Sequence, residues 1–361
     1  STGSGDGWPE TVSLVVWGID TIKTLGEAPA QAFAMLGVEP YPDRTGEVNQ
    51  LRVIPLSELG RPRIDVVIAT SGVFRDMFPA TLDLLDRAVH LVAALDESDE
   101  DNYLRKHCRE TATELGISVD EAATRVFSSL QGRYGTGVSH TVEASAWDSD
   151  TDLGEIYLRR QGHAYGAMQG REAVRLLRAA MARVEVSFQN IDGAEQSLAD
   201  NDDYLDHLGG MTAAVAAASG GRRPRVLTAD NYSARAKVRD LDEAIRLESR
   251  TRMLNPKWYE AMLSHGFQGV HEVASRLSNT YGWSATTGAV DGWIFSAAAQ
   301  TFLFDSELRD RMVALNPAAV RAMADTLAEA RDRELWQPDA SESDRLDEVR
   351  DDLDDHLEGV A

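Results

Sequence analysis

Five carboxylate and imidazole side chains crowd into one short run of the chain, "DNDDYLDHLGG": Asp200, Asp202, Asp203, Asp206 and His207. Oxygen and imidazole donors of this kind bind divalent cations or accept protons, so Asp206 and His207 are candidate metal ligands and catalytic groups. In so acidic a chain the same run also reads as a solvated loop. Two further segments put polar groups directly after apolar runs. "WGIDTIKT" offers Asp20 and Lys23, with Glu27 just beyond, and "SGVFRDMF" offers Ser71, Arg75 and Asp76. Glu27 can take a proton, or it is only a first-turn acid favoured by a helix dipole. Lys23 and Arg75 can meet a ligand carboxylate, or Arg75 simply pairs with Asp76. His265, just before Gly266, is a catalytic candidate or a partner for helix carbonyls. In "YGWSATTGAVDGW", Trp283 and Trp293 flank small residues and Asp291; they wall a flat ligand or pack a core. His163 in "GHAYG" is a weaker candidate, while His90 and His107 fall on helices and carry no expected catalytic role.

Several chemistries are missing. No GxxxxGK[ST] run occurs, so the chain has no P-loop of its own. "HEVAS" at His271 lacks the second histidine of a zinc protease, and no CxxC pair or EF-hand loop is present. "GRYGTG" does not fit the dinucleotide fingerprint and reads as a flexible loop. No GxSxG elbow appears.

The elements that must position these groups fall into two styles. "TVSLVVWG", "LRVIPL" and "RIDVVIAT" are strand candidates, and Phe78, Leu82, Leu85, Val89 and Val92 recur at helical spacing after the third. This alternation predicts an α/β fold, with helices packed on a parallel sheet. "VEVSFQN" and "RPRVLTAD" are two later strand candidates. Beyond residue 236 only helices are expected. Two open on "LNP", where Asn255 or Asn316 caps and Pro256 or Pro317 takes the first helical position. The last carries Leu346, Val349, Leu353 and Leu357 on one face. The predicted division is an α/β domain over 1–235, a helical domain over 236–340 and an acidic C-terminal helix over 341–361.

The 361 residues carry a formal net charge of −23, and 43% are hydrophobic, enough for a sizeable core. Only four lysines occur (Lys23, Lys106, Lys237 and Lys257), and acidic runs are spread along the chain. Such a surface repels nucleic acid and anionic lipid, and it suits a high-salt cytoplasm that screens self-repulsion. The single cysteine, Cys108, excludes an internal disulfide and fits a reducing compartment. The first residues, "STGSGDG", show no secretory signal pattern.

Four segments, in order, resemble one family: "WPETVSLVVWGIDTIKTLGEAPAQAFAMLGVEP", "LSELGRPRIDVVIATSGVFRDMFP", "YLRRQGHAYG" and "LNPKWYEAMLSHGFQGVHEVASRLSNTYGWSATTGAVDGW". The resemblance is to the large subunits of magnesium chelatase and aerobic-type cobaltochelatase, and covers roughly 8–336, like their C-terminal portion. It implies a metal-free tetrapyrrole as substrate and Co2+ or Mg2+ as the inserted ion. It also implies ATP-Mg hydrolysis by partners: an AAA+ ATPase subunit and a second accessory chelatase subunit. Habitat inferred from the acidic composition favours cobalt. In this setting Glu27, Asp206, His207 and His265 become the expected proton acceptors and transient metal ligands. Lys23 and Arg75, at the edge built by "WGIDTIKT" and "SGVFRDMF", and Trp283 and Trp293 of "YGWSATTGAVDGW" become the expected macrocycle contacts.

Overall fold

The computed structural model describes residues 7–191, 193, 197–231 and 235–359; the opening residues 1–6 lie outside them. Among the described residues ten strands are present: β1 (Thr11–Val16), β2 (Val38–Pro42), β3 (Val48–Val53), β4 (Asp65–Thr70), β5 (Val126–Ser128), β6 (His163–Ala164), β7 (Arg171–Glu172), β8 (Val186–Ile191), β9 (Arg225–Asp230) and β10 (Lys237–Asp240). Eight form one sheet in the order β10-β9-β8-β1-β4-β5-β6-β7. From β9 through β5 the pairing is parallel, as the strand–helix alternation predicted. β1 and β4 are buried at every position, which explains why their sequences are apolar throughout rather than alternating.

The sheet departs from expectation at its margins. "LRVIPL" does not join it: β3 pairs antiparallel with β2 as a separate hairpin. That run exposes every second residue, the signature of a one-sided strand. β5, β6 and β7 lie in a stretch read as helix and loop, and β10 breaks the expectation of helices alone beyond 236. These strands are two to four residues long, too short to show a period.

β1 sits at the centre, and the sheet is built outwards from it first on one side and then on the other. β4 and β5 lie on one side, β8 and β9 on the other. Right-handed crossovers then put the two sets of connecting helices on opposite faces of the sheet. On one face, helix Glu27–Leu36 packs on β1 and β4, and helix Pro79–Ala93 packs on it. Leu14, Leu36, Ile68, Leu85 and Val89 are fully buried there. Elsewhere helices Asp150–Gln161 and Gly210–Ser219 pack closely, because Gly154 has no side chain: a Cβ there would stand 2.4 Å from the Ala213 carbonyl.

The chain divides into two compact units. The first is Ser1–Thr141, Trp147–Ala194 and Asp206–Val238; the second is Val142–Ala146, Glu195–Leu205 and Arg239–Ala361. The second is helical. Its long helix Phe267–Thr287 packs against Pro256–Leu263 and Pro317–Asp332, and the last of these carries the acidic helix Ala340–Glu358. Both "LNP" helices are capped as expected, by Asn255 and Asn316 side chains. Leu346, Val349 and Leu353 are buried, whereas Leu357 is exposed. Among the described residues, no helix is long and apolar enough to cross a membrane.

Candidate functional site

In an open α/β sheet, ligands bind beyond the strand C-termini at the point where strand order reverses. Here that point lies between β1 and β8. Trp17 follows β1 and donates from Nε1 to Oε1 of Gln189 on β8, at 3.3 Å. Asp20, completely buried, accepts from Nδ2 of Asn190 on β8, also at 3.3 Å. The His207 ring meets Trp17 edge-on, with centroids 4.6 Å apart. Gln189 and Asn190 are both buried, and Nε2 of the first and Oδ1 of the second have no partner. Unmet buried amide groups are rare in proteins and draw attention to this edge.

The "SGVFRDMF" loop follows β4, beside the "WGIDTIKT" loop after β1, so both lie at the same edge. The parallel register Val16↔Thr70 fixes this, and Gly18 N approaches Ser71 Oγ at 3.4 Å. Ser71 caps helix Gly72–Met77 by accepting from Phe74 N.

Arg75 does not point an unused fork at a ligand. Nε and Nη2 grip both Asp76 oxygens, at 2.8 and 2.9 Å, and Nη1 donates to the carbonyls of Ser129, Leu130 and Arg133. Its side chain is almost wholly buried, and its guanidinium lies near the rings of Tyr134 and Tyr165. Burial works against its charge, but Asp76 and the tyrosines outweigh that and hold the guanidinium protonated. Arg75 holds the Asp76 carboxyl below the usual range. A cleft of about 460 Å³ opens beside this pair, lined by Asp83, Gln131, Tyr165 and Gln169 among others.

The "GRYGTG" run is therefore no slack loop. Arg75 holds its first half. Tyr134 donates to Asp76 at 2.8 Å, and its ring lies over Gly72. Asp206 holds the second half: one oxygen accepts from Thr136 N and the other from Ser139 N, at 2.9 Å for the latter. The expected acidic cluster is thus divided. Asp206 and His207 are buried in a π-helical turn, Leu205–Gly209, while Asp202 and Asp203 are exposed. Asp200 pairs with Arg252 and Arg276 in the second unit. With both Asp206 oxygens taken by amides, its local role is to pin a loop. Among the described residues, no three His, Cys, Asp or Glu side chains converge to hold a metal ion.

The other expected residues are placed as follows. Glu27 opens helix Glu27–Leu36 and is half-buried; Lys23 ends the preceding helix and is exposed. In the second unit, His265 is exposed in the turn before helix Phe267–Thr287. Trp283 is 1% exposed and donates to the Leu198 carbonyl at 2.8 Å, so its ring belongs to that unit's core. Trp293 is half-buried, bonded to Asp291 and stacked by Arg250. The sequence reading passed over Trp17, Gln189 and Asn190. The signal for the latter two was the Gln-Asn pair ending "VEVSFQN": polar side chains at the C-terminal tip of an apolar strand.

Fold and edge define a class: an α/β unit whose parallel sheet reverses its strand order at β1, followed by a helical unit. The chain belongs to the CobN/magnesium chelatase family, whose model matches residues 2–343. It is 45% identical to a rice chloroplast magnesium-chelatase subunit ChlH over 99% of this chain and 26% of that protein. It is 38% identical to an aerobic cobaltochelatase subunit CobN from Sinorhizobium over 91% of this chain and 27% of that protein. The catalytic subunit of cobaltochelatase from Mycobacterium tuberculosis superposes with a TM-score of 0.92 at 38% identity, over 96% of this chain and 30% of that one. The chain thus spans under a third of the length of these relatives.

Proposed function

We propose that this chain is the C-terminal portion of the large, tetrapyrrole-holding subunit of an ATP-dependent metal chelatase. The inserted ion is Co2+, entering a corrin precursor of cobalamin. The family match over nearly the whole chain carries the reading. The acidic, lysine-poor composition supports cobalt, because it fits a halophile's cytoplasm and many halophiles need cobalamin without making chlorophyll. The magnesium reading, Mg2+ into protoporphyrin IX, is favoured by the higher identity to the rice subunit, 45% against 38%. ATP is hydrolysed by an AAA+ partner acting with a second accessory subunit, in line with the missing P-loop.

Chelation requires two pyrrole N–H protons to leave and the ion to shed water. Glu27, half-buried near the β1 edge, is our proton acceptor there, and Lys23 meets a carboxylate of the macrocycle. Arg75 and Asp206 serve by fixing the loop between them. His265 is a second proton acceptor, carried by the helical unit. The test uses the full-length subunit with its partners, ATP, and either protoporphyrin or a metal-free corrin precursor, each with Co2+ or Mg2+. Metallation followed by absorbance should appear for the corrin with Co2+. Metallation of protoporphyrin with Mg2+ alone would transfer the reading to magnesium, and none in any combination would leave a non-catalytic binding or docking module.

A further inference from the structure

His90 lies between two carboxylates. Its Nδ1 stands 3.0 Å from Asp120 Oδ1 on helix Val119–Ala122, and its Nε2 stands 3.6 Å from Asp86 Oδ1, one turn back on its own helix Pro79–Ala93. Ionised carboxylates only accept hydrogen bonds. Serving both at once takes an N–H on each ring nitrogen, which the imidazolium has and the neutral ring lacks.

The two carboxylates differ in how they fare without the ring. The Asp120 side chain is 88% exposed and takes water in its place. Asp86 is buried, and the His90 imidazolium is the positive charge that faces it. The other Asp86 oxygen accepts from Ala167 N at 3.0 Å, in the 3-10 turn Gly166–Met168. Gly166 has a φ of +80°, and a Cβ there would stand 2.2 Å from the Asp86 carboxyl carbon, so the turn sits directly on that carboxylate. Tyr165, Gly166 and Gln169 of the same stretch wall the cleft of about 460 Å³ beside Arg75.

The other charges on the elements around helix Pro79–Ala93 are engaged elsewhere or lie at the surface. On helix Tyr103–Leu115, Arg105, Lys106 and Arg109 pair with Asp96, Glu10 and Asp99, Glu110 and Glu114 with Arg183, and His107 with Asp65 and Glu10. Arg52 of β3 pairs with Glu39, Arg75 with Asp76, and Arg87 donates to the Asn49 carbonyl. Asp83 and Glu121 are exposed, and helix Glu27–Leu36 is charged at its first residue alone. Turn Gly166–Met168 and strand β5 carry no charged side chain.

We propose that His90 is a pH-operated clasp: its imidazolium holds turn Gly166–Met168 and helix Val119–Ala122 to helix Pro79–Ala93, and its neutral form lets both lift, widening the cleft beside Arg75. When the proton leaves, the remaining N–H stays with Asp86, which water does not reach, and Asp120 turns to solvent. Asp86 is then a buried charge that no cation faces, a state relieved when water enters beneath the turn. Asp86 first, and Asp120 after it, raise the His90 pKa above its ordinary 6.5 against the opposing effect of partial burial. The clasp is therefore fully closed below pH 6.5 and opens as pH rises through the higher folded value.

The test follows the His90 ring by NMR in the 361-residue chain, and amide exchange of residues 119–122 and 165–169, from about pH 6 to about pH 9. Wild type, His90→Gln and His90→Lys are compared at equal pH, so the intrinsic effect of pH on exchange cancels. The ring should titrate above 6.5, and Asp120→Asn, a change at an exposed side chain, should lower its midpoint. Both segments should exchange severalfold faster in His90→Gln than in wild type at the acid end, and the gap should close along the His90 titration curve. His90→Lys, which keeps its charge, should stay protected throughout. Should that variant unfold, the wild-type and glutamine curves still decide. Equal exchange in wild type and His90→Gln at every pH, or a gap that ignores the ring titration, would overturn the clasp. So would a ring midpoint that Asp120→Asn leaves in place.

Discussion

The two ends of the central sheet are built on opposite principles. At the N-terminal end of β4 and β5, charge is buried and matched. Asp65, completely buried, is gripped by Arg125 through Nε at 2.7 Å and Nη2 at 3.1 Å. His107 bridges Asp65 and Glu10, and Lys106 closes the chain of contacts on Glu10. Burial opposes the Asp65 charge, yet Arg125 and His107 prevail and hold its carboxyl below the usual carboxylate range. At the C-terminal end the Arg75–Asp76 pair is matched in the same way, but its surroundings are not. Apolar side chains face water, and Gln189 and Asn190 keep buried polar atoms without partners. One end is saturated and the other is left partly incomplete, the contrast expected if a scaffold separates stability from binding.

The sharpest way to break this contrast is at the saturated end. Asp65→Ala leaves the Arg125 guanidinium buried and unpaired, and should cost about 3–5 kcal/mol of unfolding free energy by denaturant titration. Porphyrin affinity of the surviving folded fraction should not change. A loss below 1 kcal/mol would show that this end contributes little.

The same carboxylate sets an acid limit. Its folded pKa is depressed, so its contribution is fully present above the ordinary value of 3.8 and is lost as pH falls below that through the folded value. Stability of wild type should therefore fall steeply below about pH 4, and Asp65→Asn should flatten that limb. Parallel acid limbs for the two proteins would assign the fall to other groups.

At the C-terminal end the expected effects are smaller. Asp206→Ala strands the amides of Thr136 and Ser139, at about 1–3 kcal/mol, and should loosen the loop carrying Tyr134. Hydrogen exchange of residues 130–139 reads this directly; unchanged protection would deny Asp206 its positioning role. Glu27→Gln in the full-length subunit should slow metal insertion about tenfold, near 1.4 kcal/mol, with the melting temperature unmoved. Normal insertion would exclude Glu27 as the proton acceptor.

The mildest effect spans both ends. With net charge −23, the melting temperature should rise as KCl approaches molar levels, because screening relieves self-repulsion. A flat or falling curve would remove the halophile argument and the main support for cobalt.

The sequence by itself determined the α/β character, the five parallel strands except for short β5, and both "LNP" caps, because these depend on local runs and local hydrogen bonds. "TVSLVVWG" and "RIDVVIAT" also told that the loops after them would share an edge, since parallel neighbours end on the same side. What depends on partners distant in sequence was decided by the tertiary structure. Arg75 and Asp76 were legible as a possible ion pair, but not the loop carbonyls that complete the Arg75 shell 54–58 residues away. Asp206 looked like one of a cluster of acids. Only the approach of Thr136 and Ser139, 70 and 67 residues off, makes it a loop anchor. Trp283 read as core before ligand wall, but which core it joins was settled only where its indole meets Leu198, 85 residues earlier in the chain. The strand-order reversal that joins Trp17 to Gln189 spans 172 residues, and no local period encodes it. Periodicity reports which side of an element is apolar, whereas a site is a meeting of several elements, and only packing fixes which of them meet.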